Sequence, residues 1–216
     1  MANEDLMQDF SLARRTMVDN QLRPEGVTDR DVLAAMGSVP RENYVPEGAR
    51  ALAYFDRPLK IADGRTMTPP AALGRLLSEL APKPGKRALV VGSGTGYSAA
   101  VLKAVGLDVV ALESDNALVA AANEAGVETV HGDLAMGWAK RAPYDLVLFD
   151  GAVEEIPAAL VKQIREGGSV GGAISDRGVT RLFVGRVSGG ALGLRTLTDA
   201  DVDPLPGFER PRAFIF

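Results

Sequence analysis

The stretch from Leu89 to Tyr97 constrains the fold more than any other part of this chain. It places the glycine-rich turn Gly92-Ser93-Gly94-Thr95-Gly96 directly after a short apolar run, and a helix-forming segment follows at residues 98–103. A strand, a tight glycine turn and a helix N-terminus together let backbone N–H groups approach a nucleotide-like ligand closely. The stretch therefore predicts a ligand site at the carboxyl end of the strand.

The spacing of the glycines restricts the classes of ligand that this turn is expected to bind. The pyrophosphate fingerprint G-x-G-x-x-G needs its third glycine where this chain has Tyr97, so that fingerprint is incomplete. The GxGxG spacing suits a ligand without a pyrophosphate, such as S-adenosylmethionine (SAM). By itself the spacing is also compatible with a purely structural turn.

Acidic residues end the apolar runs that follow the glycine turn. Glu113 comes about 20 residues after the first glycines, where a ribose-binding carboxylate is expected, although it could also be a solvated residue leaving a strand. Asp133 ends the next run, at a position where it could contact the amino group of an adenine. The runs span residues 108–113, 128–133 and 144–150, and they alternate with helical patterns such as 116–125 and 156–165. This alternation predicts an open, mostly parallel, doubly wound α/β sheet.

Composition excludes several other classes of site. The chain has 216 residues, 46% of them hydrophobic and 24% charged, with a net charge of −4; this is ordinary for one folded core and gives no general attraction to nucleic acid. It has no cysteine and one histidine. Thiol catalysis is therefore excluded and neither a metal site nor a Ser-His-Asp triad is expected. We expect no membrane span and a cytoplasmic location, because no apolar run approaches about 20 residues and the N-terminus is acidic rather than signal-like.

The chain divides at about residue 80. We expect an N-terminal lobe over residues 1–80, helical over 4–36 and irregular over 37–70, with the α/β core over residues 81–216 and the two forming one integrated domain. The irregular stretch contains apolar residues and five prolines (40, 46, 58, 69 and 70), and long structured loops of this kind are usually functional. After Gly167-Gly168, β-like runs are expected at 169–174, 180–187 and 212–216.

Taken in order along the chain, these segments resemble the protein-L-isoaspartate O-methyltransferase family over nearly the whole length. The Val-Pro-Arg…Tyr-Val-Pro and Ala-Tyr-Phe-Asp-Arg-Pro-Leu stretches are typical of this family rather than of SAM enzymes at large. The matching pieces are residues 39–41, 44–46, 53–59, 64–70, 92–97, 131–133, 137–138, 142–145 and 155–160. The resemblance implies a Rossmann-like SAM-dependent methyltransferase fold. It also implies an enzyme that repairs damaged proteins by methylating the α-carboxylate of isoaspartyl residues.

Three positions depart from the family pattern. Thr68 stands where the family carries a serine held to be its active-site residue, and threonine keeps the hydroxyl but restricts χ1. Val90 replaces an acid close before the first glycine, and Leu134 replaces a glycine after the Gly-Asp pair. Because of these departures, two alternative functions stay open. The chain could methylate a different carboxylate acceptor, or it could be a SAM-binding module without catalysis.

The residues and the resemblance together give a specific set of site predictions. Gly92, Ser93, Gly94 and Gly96 are expected at the methionine end of SAM, Glu113 at the ribose, and Asp133 with Leu134 at the adenine. Thr68, Thr66 and Asp56 are the candidates for the acceptor side. The expected partners are isoaspartyl proteins or peptides. We expect the enzyme to be a monomer, and we expect no nucleic-acid partner, no membrane partner and no bound metal. A nicotinamide-linked oxidoreductase is the third hypothesis, which Tyr97 disfavours.

Overall fold

Helices and a small hairpin form the N-terminal part of the chain, which this computed structural model describes from residue 9 to residue 210. The helices are α1 (Phe10–Met17), continued by a π-helical turn at Val18–Leu22, then α2 (Arg30–Ser38) and α3 (Pro70–Leu80). Asp9 and Asp29 begin α1 and α2 by accepting hydrogen bonds from backbone N–H groups of the first turn, as helix N-caps do. The helical prediction for residues 4–36 is confirmed over residues 10–22 and 30–36, and the chain turns between them at residues 23–29, where Arg23-Pro24-Glu25-Gly26 interrupts the helical spacing. Positions 4–8 and the run at 212–216 lie outside the described residues.

Between α2 and α3 the chain is more regular than its prolines indicated. Two 3₁₀ turns (Arg41–Tyr44 and Glu47–Leu52) precede a hairpin of β1 (Leu59–Ala62) and antiparallel β2 (Arg65–Met67). The prediction of an irregular segment was therefore wrong for β1 and β2. Strands of four and three residues are too short to show a readable alternation of side chains.

A seven-stranded sheet follows, with the strand order β5-β4-β3-β6-β7-β8-β9. Its strands and helices are β3 (Arg87–Val91), α4 (Tyr97–Val105), β4 (Asp108–Glu113), α5 (Asn116–Glu124), β5 (Thr129–His131), β6 (Tyr144–Val153), α6 (Ala158–Val161), β7 (Ile164–Asp176), β8 (Val179–Ser188) and β9 (Ala191–Asp199). The pairs from β5 to β7 are parallel, and β8 and β9 close the sheet antiparallel. The Rossmann-like, mostly parallel fold is confirmed.

Two details of this region differ from the sequence prediction. The helix expected over residues 156–165 is only the four residues of α6, because Ile164 already pairs with Tyr144 in the sheet and the Tyr144 N–H donates to the Gln163 carbonyl. Strand β9 was not predicted, since most of its residues are exposed and show no apolar alternation.

Strand β3 lies at the centre of the core and has hydrophobic clusters on both faces. Ala88 and Val90 pack into one cluster with the N-terminal helices, while Leu89 and Val91 pack into the cluster on the opposite face. The first cluster joins residues of both predicted lobes, from Met17 to Val202; the division at residue 80 stays a prediction. After β3 the chain winds outward to β4 and β5, then returns to β6 on the other side. This reversal puts a crevice at the carboxyl ends of β3, β4 and β6, where such sheets bind ligands.

Candidate active site

The glycine turn after β3 has the backbone conformation of a close ligand contact. Gly92, Gly94 and Gly96 have φ values of 72°, 55° and 96°, in the left-handed region that glycine adopts without strain. The N–H groups of Gly92 and Ser93 both donate to the Leu112 carbonyl, at 2.9 and 3.0 Å. The turn is thereby fixed against the end of β4, and α4 begins directly after it.

Glu113, the last residue of β4, is completely buried and fully hydrogen bonded. Its Oε1 accepts from Arg65 Nη1 at 2.6 Å and from the N–H groups of Ser114 and Asp115 at 2.7 and 3.1 Å. Its Oε2 accepts from Arg65 Nη2 at 2.7 Å and from the Gly94 N–H at 2.8 Å. The predicted ribose carboxylate is therefore joined to the glycine turn and, through a two-pronged ion pair, to β2.

Opposing effects set the ionisation of Glu113. Burial alone raises the pKa of a carboxyl group, but hydrogen bonds from Arg65, its positive charge and the backbone N–H groups of Gly94 and Asp115 outweigh that effect. The pKa of Glu113 is consequently held below its ordinary value, as expected for a carboxylate with several donors. Glu113 is ionised at neutral pH.

Thr68 belongs to a second buried polar group at the end of β6. Its Oγ1 donates to Asp150 Oδ1 at 2.7 Å, and Ser98 at the start of α4 donates to the other oxygen of Asp150. Burial raises the pKa of Asp150, while the bonds from Ser98 and Thr68 act against the rise. The structure thus holds the Thr68 hydroxyl through Asp150. Asp150 is the acid that ends the apolar run at 144–150, and no sequence pattern indicates its contacts with Thr68 and Ser98.

Arg41 also contacts this buried group of polar residues. Its Nη2 donates to the Thr68 carbonyl and its Nε to the Ala53 carbonyl, both at 2.7 Å, and its guanidinium lies 4.6 Å from the centre of the Tyr97 ring. Arg41 is fully buried. It therefore fixes the backbone of Thr68 relative to α4. The Val-Pro-Arg piece of the sequence contains Arg41, but the pattern gave no indication of this contact.

The other predicted acceptor-side residues lie apart from Thr68. Thr66 Oγ1 donates to Asp203 Oδ2 at 2.8 Å in an exposed position. Asp56 accepts from the Ala71 N–H at 2.9 Å, where it caps the first turn of α3. Thr66 and Asp56 line two different cavities.

The predicted adenine residues follow β5. Asp133 is exposed and accepts from the Ala135 N–H at 2.9 Å, whereas Leu134 is buried in the core. The N–H of Gly132 donates to the Glu113 carbonyl at 3.0 Å. This bond keeps the Gly-Asp pair beside the end of β4, next to the predicted ribose carboxylate.

The residues of the glycine turn fit a polar ligand such as SAM. Ser93 Oγ, in the turn, is buried without a hydrogen-bond partner, and buried polar atoms are normally satisfied. The chain's own side chains also lie against the turn: a Cβ placed on Gly92 would be 2.5 Å from Leu205 Cδ2, and one on Gly94 would be 2.7 Å from Ile61 Cδ1. The Ser93 hydroxyl is available to a polar ligand, and Leu205 and Ile61 cover the surface that such a ligand would approach.

This sheet order, with a glycine turn after its central strand and an acid ending the next, defines the Rossmann-like SAM-dependent methyltransferase class. Two solved structures agree. A protein-L-isoaspartate O-methyltransferase superposes with a TM-score of 0.79 and 25% identity, over 90% of this chain and 66% of that one. A Plasmodium falciparum structure, described as a β-aspartate methyltransferase in complex with S-adenosyl-L-homocysteine, gives 0.72 and 24%, over 87% and 95%.

Sequence relationships identify the family within this class. Residues 13–184 match the protein-L-isoaspartate(D-aspartate) O-methyltransferase family, and the chain belongs to it. Protein-L-isoaspartate O-methyltransferase 2 of Anaeromyxobacter sp. is 42% identical over 178 residues, covering 79% of this chain and 73% of the relative. The Koribacter versatilis protein-L-isoaspartate O-methyltransferase is 35% identical over 214 residues, covering 96% of each.

Two further observations concern only residues 9–210. No helix in that range combines the length and the apolar character needed to cross a bilayer. The same range contains no group of three or more His, Cys, Asp or Glu side chains arranged to hold a metal ion.

Proposed function

We propose that this chain is a SAM-dependent carboxyl O-methyltransferase that methylates the α-carboxylate of isoaspartyl residues in damaged proteins. The observation that carries the proposal is its membership of the isoaspartyl methyltransferase family over residues 13–184. Relatives that match this chain at 35–42% identity bear the same name. SAM is the cofactor, and the glycine turn with Glu113 is the part of the chain that we assign to it.

The reaction places few chemical demands on the protein. SAM supplies a methyl group on a positively charged sulfur. The acceptor carboxyl group has an ordinary pKa of about 4 and is already ionised at neutral pH, so no general base is needed. The protein has to hold the carboxylate in line at about 3–3.5 Å and exclude water. A buried site built from hydroxyl and N–H groups is suited to that task.

We assign the acceptor side to Thr68, with Asp150 and Arg41 as the residues that position it. Asp150 holds the Thr68 hydroxyl and Arg41 holds its carbonyl, so both ends of the residue are fixed. The positive charge of buried Arg41 also favours a carboxylate nearby. Thr66 and Asp56 remain candidates for contacts with the rest of the substrate, because each lines an open cavity.

Methyl transfer from labelled SAM to a short isoaspartyl peptide tests the proposal, with the matching aspartyl peptide as the control. We expect label in the isoaspartyl peptide alone. If neither peptide is labelled while SAM binding is confirmed in the same sample, the catalytic proposal fails. That result would favour another acceptor or a binding module without catalysis.

Variants of Thr68 test its place on the acceptor side. Serine keeps the hydroxyl that reaches Asp150 and matches the family residue, so Thr68→Ser is expected to raise the rate of isoaspartyl methylation. Thr68→Val keeps the shape without the hydroxyl and is expected to lower kcat by about 10²-fold through misplacement of the acceptor. Initial rates and SAM affinity should be measured together for both variants. Equal kcat values for the wild type and Thr68→Val would refute the assignment of Thr68 to the acceptor side.

The proposal takes the enzyme to act as a monomer in the cytoplasm on damaged proteins, without a nucleic-acid partner. Its net charge of −4 supports the last point, since phosphate backbones attract basic surfaces. Light scattering of the purified chain tests the monomeric state, and fractionation of the producing cells tests the location.

A further inference from the structure

Arg65 makes contacts that matter for the cofactor side of the site. Its guanidinium forms the two-pronged pair with Glu113 and also donates from Nη2 to the Gly92 carbonyl at 3.1 Å. The side chains are 7% and 0% exposed. One buried cation therefore contacts both the predicted ribose carboxylate and the first glycine of the turn.

The carboxylate of Glu113 has no room for further donors. An ionised carboxylate offers about four lone-pair positions, and five N–H donors already reach it: two from Arg65 and one each from Gly94, Ser114 and Asp115. Two ribose hydroxyls can bond to Glu113 only if existing donors leave. The three backbone donors are fixed by the turn and by the β4–α5 junction. The Ser114 hydroxyl makes only a long contact of 3.4 Å with one oxygen, so Arg65, which occupies both oxygens, is the donor that has to be displaced.

Arg65 lies on an element that covers the glycine turn. We call β1, β2 and residues 203–205 the cover. Thr66 of β2 donates to Asp203, and the Leu205 N–H donates to the Ala152 carbonyl at 2.7 Å. Ile61 of β1 and Leu205 supply the side chains that approach Gly94 and Gly92. The Arg65–Glu113 pair thus joins the cover to the end of β4.

We propose that Arg65 sets the cofactor affinity of this enzyme by competing with the ribose hydroxyls for the Glu113 carboxylate. The proposal rests on the proposed function, in which Glu113 receives the ribose of SAM. An arginine–carboxylate fork is stronger than a hydrogen bond from a neutral hydroxyl, so the cofactor has to displace Arg65 with its total binding energy. If Arg65 is withdrawn in only a tenth of the molecules, the apparent affinity falls tenfold.

Arg65→Gln is the direct test, because glutamine keeps a polar side chain but lacks the charge, the fork and the length with which arginine reaches Glu113. Calorimetry should measure the Kd of S-adenosylhomocysteine and of its 2′,3′-dideoxy analogue. We expect the variant to bind S-adenosylhomocysteine at least tenfold more tightly than the wild type does, with little gain for the dideoxy analogue. An equal gain for both ligands would mean that arginine acts through bulk alone, and no gain for either would mean that it does not compete; each result overturns the proposal.

Two further variants make the test decisive. Arg65→Lys keeps the charge but not the fork, so it should give a smaller gain, and it carries the test if Arg65→Gln does not fold. Arg87→Gln is the matched control, since Arg87 pairs with Asp108 at the opposite end of β4 and should leave both Kd values unchanged. A tightening by Arg87→Gln equal to that of Arg65→Gln would count against the proposal.

Glu113→Gln separates failure of this inference from failure of the proposed function. If Glu113→Gln weakens S-adenosylhomocysteine binding but Arg65→Gln does not strengthen it, the ribose assignment holds and the competition by Arg65 is refuted. If Glu113→Gln leaves the affinity unchanged, the ribose assignment itself is refuted, and the competition with it.

Discussion

Replacing Glu113 by alanine is expected to lower the free energy of unfolding by about 3–5 kcal/mol, the usual cost of removing one partner of a buried ion pair. The substitution leaves the Arg65 guanidinium without its carboxylate, and it removes the acceptor of the Gly94, Ser114 and Asp115 N–H groups. Urea unfolding at neutral pH, followed by circular dichroism, measures the loss.

Asp108→Ala provides the matched control on the same strand. Asp108 pairs with Arg87 and Arg141, but all three side chains are more than one third exposed, and exposed pairs contribute about 1 kcal/mol or less. We therefore expect Asp108→Ala to lower the free energy of unfolding by about 1 kcal/mol or less. Equal losses for the two variants would show that the Arg65–Glu113 pair does not form in solution as it does here.

The same pair makes stability depend on pH in a defined direction. Because the folded protein holds the pKa of Glu113 below its ordinary value, the carboxylate contributes its stability above about pH 4.3, the pKa of an unfolded glutamate. The contribution is lost as the pH falls further, through the folded pKa. The urea midpoint of the wild type should therefore fall more steeply below pH 5 than that of Glu113→Gln. Asp150, whose raised pKa acts in the opposite direction, is present in both proteins and cancels in the comparison.

The parallel part of the fold was predictable because its signals are local. Strand β3 is a continuous apolar run, as expected for a strand buried on both faces, and the glycines after it mark the turn without knowledge of the rest of the chain. Glu113 could be placed by its spacing from that turn. Strand β9, which ends the sheet in antiparallel pairing, could not be predicted, because its exposed residues lack the apolar pattern of a buried strand.

The contacts that shape the site were not predictable, because they join distant parts of the sequence. Arg65 and Glu113 are 48 residues apart, Thr68 and Asp150 are 82 apart, and no periodicity links such positions. Arg65 stands in the segment that also carries Thr66 and Thr68, the predicted acceptor residues, and the fold brings it to Glu113 and the Gly92 carbonyl. The site residues named from the sequence stay predictions, and no sequence pattern indicated the contacts that join them.

Gly94→Val is expected to abolish SAM binding, with a loss of at least about 10²-fold in affinity, or about 2.7 kcal/mol. Gly94 has φ 55°, where a β-branched residue is strained. The new Cβ would also lie 2.7 Å from Ile61 Cδ1, on the surface that the cofactor is predicted to approach. The strain would disturb the N–H that Gly94 donates to Glu113. The Kd of S-adenosylhomocysteine measured by calorimetry is the direct readout.

Gly85→Val separates backbone strain from an effect on the site. Gly85 has φ 75°, and a Cβ there would meet nothing within 4 Å, so this variant carries the strain, about 1–3 kcal/mol, outside the glycine turn. We expect both variants to lose stability, Gly94→Val more because of its contact with Ile61 and its bond to Glu113, and we expect loss of binding from Gly94→Val alone. Unchanged affinity in Gly94→Val would refute the assignment of the glycine turn to SAM. A loss of binding in Gly85→Val as well would mean that binding depends on stability rather than on contact at Gly94.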